Sequence, residues 1–155
     1  MITKNKLDKS FGPVGTISGI IIFVAGLLGL IIVHFSFTGL LLVLIGSFVG
    51  FSSTFVLIDF AKKRVNFSNN LFGVIPYGKW IDIESGMKIG VKKSETNWRT
   101  YSSGNRTLDI NDSDFRIILY SSDNKEIMPL MKISTLDTAK MEAEKFCSQL
   151  GLKMI

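Results

Sequence analysis

Histidine and cysteine are almost missing from this 155-residue chain, which has one of each, His34 and Cys147. A single cysteine permits neither an intramolecular disulfide nor a cysteine metal cluster. A single histidine, set in an apolar run, leaves the remaining chain without a Ser-His or Cys-His nucleophile pair and without histidine metal ligation. A complete phosphate-cradling G-x-x-x-x-G-K-[ST] loop, the G-x-G-x-x-G turn and the H-E-x-x-H helix are also missing. The carboxylate pairs Asp82 with Glu84 and Asp112 with Asp114 have the i, i+2 spacing of a strand face or turn and read as solvated surface. No catalytic residue, metal or cofactor is expected, and the chain reads as a non-enzyme.

Charge is missing where it matters most. Residues 10–58 contain no Lys, Arg, Asp or Glu. A bilayer core of about 30 Å takes about 20 apolar helical residues, so the run holds two spans and not three. The break falls at residues 34–39, where an imidazole, two hydroxyls and a glycine interrupt the run beside two phenylalanines. That predicts a first helix over residues 13–33 and a second from residue 39 to residue 54 or slightly beyond. Pro13 suits a first helical turn, where its missing N–H costs nothing. Lys4, Lys6 and Lys9 precede the first span, Lys62, Lys63 and Arg64 follow the second, and the turn has no cation. The positive-inside rule therefore puts both termini in the cytoplasm of a multi-pass inner-membrane protein. A cleaved signal is disfavoured by the length of the run and the lack of an A-x-A-like site.

Gly15 and Gly19 are spaced G-x-x-x-G in the first predicted span, and Gly46 and Gly50 in the second. Small residues four apart let helices approach closely. The two stripes pack on each other, or one of them docks a partner helix or a second copy. His34 falls at the outer boundary and reads as an interfacial residue.

Beyond residue 58 the pattern changes. Residues 59–155 carry 15 cations and 12 carboxylates, mostly interspersed, which suits a solvated surface and not a nucleic-acid footprint. Three N-x-S/T sequons, at Asn66, Asn105 and Asn111, carry no weight on a cytoplasmic side. Residues 55–60 read as either the tail of the second span or a first strand, and alternation predicts further strands around residues 64–67, 80–84, 87–92, 108–110, 115–120 and 126–133. Pro129 marks the last of these as an edge or a bulge. The chain then closes with an amphipathic helix, capped at Ser134 with Asp137 three residues on, whose apolar stripe is Leu136, Ala139, Ala143, Phe146 and Leu150. Gly151 is placed to end it. Cys147 borders the stripe as a small buried hydrophobe.

About seven short strands followed by one helix is the order of a pleckstrin-homology-like (PH-like) barrel. Through VLIDFAKKRVNF (56–67), NNLFGVIPYGKW (69–80), FRIILY (115–120) and STLDTAKMEAEKF (134–146), the chain resembles bacterial PH-like membrane proteins, in which a transmembrane hairpin precedes such a domain. The expected organisation is a cytoplasmic tail (1–10), a two-helix transmembrane hairpin (11–58) and a cytoplasmic, mainly-β PH-like barrel with a C-terminal capping helix (59–155). The resemblance implies a module that binds peptides, proteins or lipid headgroups. In some eukaryotic members the loop between the first two strands holds phosphoinositides, and Lys62, Lys63 and Arg64 occupy that place here. Their simpler role is the positive-inside flank, with contact to anionic lipid worth about 1 kcal/mol per cation as an intermediate case. Trp98, Arg99, Tyr101 and Arg106 mix aromatic and cationic character as interfaces do. Three readings follow: an inner-membrane adaptor or accessory subunit of a larger membrane complex, a sensor of anionic lipid, or a self-associating scaffold.

Overall fold

The computed structural model describes residues 2–32, 36–101 and 107–155, and the side chains of all of these but 96–98, 100–101 and 108–112. His34 and Arg106 lie outside the described residues. In chain order the elements are β1 (Ile2–Lys9), α1 (Gly12–Ile32), α2 (Phe37–Phe51), β2 (Ser53–Asp59), β3 (Arg64–Leu71), β4 (Ile75–Asp82), β5 (Lys88–Tyr101), β6 (Thr107–Tyr120), β7 (Glu126–Ile133), α3 (Leu136–Leu150) and β8 (Lys153–Met154). The strands form two four-stranded sheets, ordered β1-β2-β3-β4 and β7-β6-β5-β8. Two compact units result: residues 1–7, 56–67 and 79–155 in one, residues 8–55 and 68–78 in the other.

The expected pair of membrane spans followed by a seven-stranded barrel does not form. Among the described residues, only α1 is long and apolar enough to cross a membrane. Its 21 residues extend about 32 Å at 1.5 Å per residue. The second helix has 15 residues and extends only about 22 Å. It ends early because residues 53–58 are rich in Thr, Phe, Val and Ile, which favour strands, and this run pairs into a sheet as β2. Hydroxyls at its start are also taken: Ser52 Oγ accepts the Phe72 N–H (3.3 Å), and Thr54 Oγ1 both donates to the Asp8 carbonyl and accepts the Asp8 N–H (3.2 Å each). Nor is there a barrel, since closure would need ladders from β4 to β5 and from β7 to β1, and each of those four strands pairs only within its own sheet. What links β1 to β7 is a side chain, Asn5, whose amide donates to the Leu130 carbonyl (3.1 Å).

The helical unit is built inside out relative to a soluble bundle. Only 17% of the most apolar window of α1 is buried, and the buried residues of the two helices are Gly12, Thr16, Gly19, Gly26, Gly39, Gly46 and Gly50. Ile17, Ile21, Leu28, Ile31, Leu40, Leu44 and Ile45 point outward.

The β-rich unit has a conventional core. Val56, Ile58 and Val65 from the first sheet and Ile89, Ile117, Leu119 and Leu130 from the second pack with Ala139, Ala143, Phe146 and Leu150 of α3. Those four α3 residues belong to the expected stripe, while Leu136 is 40% exposed. The N-cap is Thr135 and not Ser134, without a capping side-chain bond; Gly151 closes the helix in the left-handed region (φ 73°). Cys147 packs against this core, and burial, with Glu144 nearby, pushes its thiol pKa up.

Candidate interaction surfaces

Glycine decides how the two helices meet. A Cβ on Gly19 would strike the backbone of Gly50 and one on Gly46 the backbone of Phe23, while one on Gly26 would come 2.7 Å from the Val43 nitrogen. These pairings run in opposite senses along the two helices, so α1 and α2 are antiparallel. A Cβ on Gly50 would lie 3.0 Å from the Ile20 nitrogen. Gly15 stands apart from this seam, since its Cβ would meet Phe11. Close approach through Gly19, Gly46 and Gly50 gives the helices backbone-to-backbone packing and leaves the long apolar side chains on the outside. Gly26 and Gly39 complete the seam without belonging to either G-x-x-x-G pair.

The turn between β2 and β3 holds the three cations read as a lipid contact. Asp59, buried at 4% exposure, accepts the Lys62 N–H (3.3 Å), and the Ile83 N–H donates to the Lys63 carbonyl (2.8 Å). Lys63 adopts a left-handed backbone (φ 45°) to make the turn. Arg64 Nε lies 3.5 Å from Asp59 Oδ2, and its guanidinium sits 4.4 Å from the Trp80 ring centroid. Burial opposes ionisation of Asp59, but the backbone N–H groups of Lys62 and Ala61 and the charge of Arg64 prevail and hold its pKa below the ordinary value. The structure thus separates the three cations: Arg64 is drawn into an ion pair and a cation–π contact, whereas Lys62 and Lys63 are exposed.

A second buried carboxylate organises the other sheet. Asp114, 2% exposed, is gripped through Oδ1 by Arg116 Nε (2.9 Å) and through Oδ2 by Lys132 Nζ (3.0 Å). Burial again opposes its charge, and the bonds from Arg116 and Lys132 overcome it, lowering its pKa. Sequence reasoning placed Asp114 on a solvated surface. Its only local signal was the alternation Asp114, Arg116 along a strand, and Lys132 reaches it from β7.

Beyond that cluster the sheet narrows to two strands. β7 pairs with β6 only from Phe115 to Tyr120, and β8 pairs with β5 only at Lys88 and Ile89. The β5–β6 register nevertheless continues for seven more pairs, from Glu95 opposite Ser113 to Tyr101 opposite Thr107. At about 3.3 Å per residue this is an arm of about 20 Å. Trp98 is paired with Ile110 and Arg99 with Asp109; Arg99 is exposed. So three of the four residues read as a partner surface, Trp98, Arg99 and Tyr101, lie on this ribbon. Among the described residues no group of three or more His, Cys, Asp or Glu side chains is arranged to hold a metal.

Compared with known proteins, the chain matches no family model, no curated protein and no solved structure.

Proposed function

We propose that the chain is a membrane-anchored, non-catalytic adaptor or accessory subunit that offers its β5–β6 ribbon to a protein partner. The ribbon is the observation that carries this reading. A two-stranded hairpin is marginal in water on its own, and one that outruns its sheet by seven residue pairs gains most from being covered. Its aromatic and cationic composition is that of interface hot spots.

The anchor is α1, with α2 seated against it in the same apolar phase. Outward leucine and isoleucine with inward glycine is the packing expected where lipid replaces water. The lysines before α1 support an inner-membrane location with the start of α1 on the cytoplasmic side. Lipid contact by the β2–β3 turn is the second reading, carried by Lys62 and Lys63 with Arg64 engaged elsewhere. Self-association through the glycines is disfavoured because Gly19, Gly46 and Gly50 are already used between α1 and α2.

The test is native purification in mild detergent of the full chain and of the double variant Trp98→Ala, Arg99→Ala. The proposal expects a membrane protein recovered at near-stoichiometric amounts with the former and lost with the latter. Emergence of the full chain alone, or equal recovery with both, would refute it.

A further inference from the structure

The turn between β3 and β4 and the first residues of β4 display apolar side chains to the outside: Val74 is 78% exposed, Ile75 55% and Tyr77 69%. This segment is firmly held. It belongs to the same compact unit as α1 and α2, the Phe72 ring lies 5.4 Å from that of Phe48, and the Phe72 N–H donates to Ser52 Oγ (3.3 Å) just past the end of α2. Gly73, left-handed at φ 73°, approaches so close that a Cβ there would lie 3.2 Å from Phe51. Phe11 packs edge-on against Phe48 at 5.3 Å, so the turn continues an aromatic cluster at the end of the hairpin where α1 begins and α2 stops.

Its sequence is uncharged as well. Residues 65–78 contain no Asp, Glu, Lys or Arg, and Arg64 and Lys79 bound them. Large apolar side chains held out into water at a fixed turn are unfavourable, whereas a tyrosine with an apolar body and a polar tip suits the headgroup level of a bilayer. Pro76 also removes one backbone donor that would otherwise need a partner away from water.

From this placement we infer that residues 72–77 form an interfacial wedge that lies in the headgroup–acyl boundary of the membrane holding α1. The occupant is lipid, because the patch is continuous with the lipid-type surface of the hairpin and belongs to the same unit. The inference rests on the proposed membrane seating of α1.

The test uses full-length chain with Cys147→Ala, reconstituted in phosphatidylethanolamine–phosphatidylglycerol vesicles and carrying one environment-sensitive fluorophore at Val74→Cys, Leu28→Cys or Asp123→Cys. Vesicles with and without a nitroxide on the upper acyl chain, and with and without one near its end, are compared. The label at position 74 is expected to lose most of its emission to the upper nitroxide, the label at 28 to respond to a nitroxide on either part of the chain, and the label at 123, in a charged turn, to neither. Quenching at 28 but not at 74 overturns the wedge and leaves the anchor standing. No quenching at 28 overturns the anchor and the wedge with it. A blue-shifted but unquenched label at 74 means that protein, a partner or a second copy, covers the turn, and also overturns the inference.

Discussion

The helical unit and the β-rich unit solve the same packing problem in opposite ways. The hairpin buries glycine and exposes leucine, isoleucine and phenylalanine; the β-rich unit buries isoleucine, leucine and valine and exposes lysine and glutamate. In the first, contact comes through close backbone approach at the glycines. In the second, apolar burial supplies most of the stability, and the buried carboxylates Asp59 and Asp114 sit in the interior with matched partners. The two units should therefore fail in response to different perturbations.

The largest effect is expected in the β-rich unit. Replacing Asp114 by Ala takes away the carboxylate that Arg116 and Lys132 both grip. The expected cost is about 3 kcal/mol, the low end for breaking a buried pair. Denaturant unfolding followed by tryptophan emission would read it, and a cost near zero would mean that the cluster is decorative.

Next comes Gly46→Val in the hairpin. The new side chain drives into the Phe23 backbone, and overpacking of this kind costs about 1–3 kcal/mol. Gly29→Ala is the internal control, since its Cβ would meet only the Gly39 Cα at 3.8 Å. Thermal unfolding in detergent should separate the two variants, and equal behaviour would contradict the glycine seam.

Acid should then discriminate between the units. Asp59 and Asp114 have folded pKa values below their unfolded ones. Their stabilisation is therefore complete above the ordinary carboxylate range of about 4 and is lost as pH falls through the lowered values. The β-rich unit should lose thermal stability below about pH 4, while α1 and α2, which contain no Asp, Glu, Lys or Arg, keep their helical signal. Asp114→Asn should flatten the acid dependence, and a hairpin melting in step with the sheets would contradict the division.

The smallest effect is Arg64→Gln, which removes both the cation over Trp80 and the charge beside Asp59 and should cost about 1 kcal/mol in thermal unfolding, with Lys62→Gln as the unaffected neighbour.

How much of this was legible depended on whether the signal was local. The α3 stripe recurs with helical period, and the runs at 115–120 and 126–133 alternate with period two, so both could be read. Residues 54–58 could not be assigned, because a short apolar run satisfies helix and strand alike; only the pairing of β2 decides it. β1 has the sequence of a tail, since only Leu7 among its inward positions is apolar and its lysines hide an edge strand. The barrel was expected from element order, and whether β4 pairs with β5 leaves no mark in either strand. Arg64 looked like a free cation because Trp80 lies in another strand.

The most direct test of the account is hydrogen–deuterium exchange across residues 95–113, measured in native membranes and again on the purified chain. A ribbon that serves a partner should exchange slowly in the membrane and quickly once alone, as a marginal hairpin does. Equal exchange in both settings would contradict the claim that this arm is where the protein makes its contact.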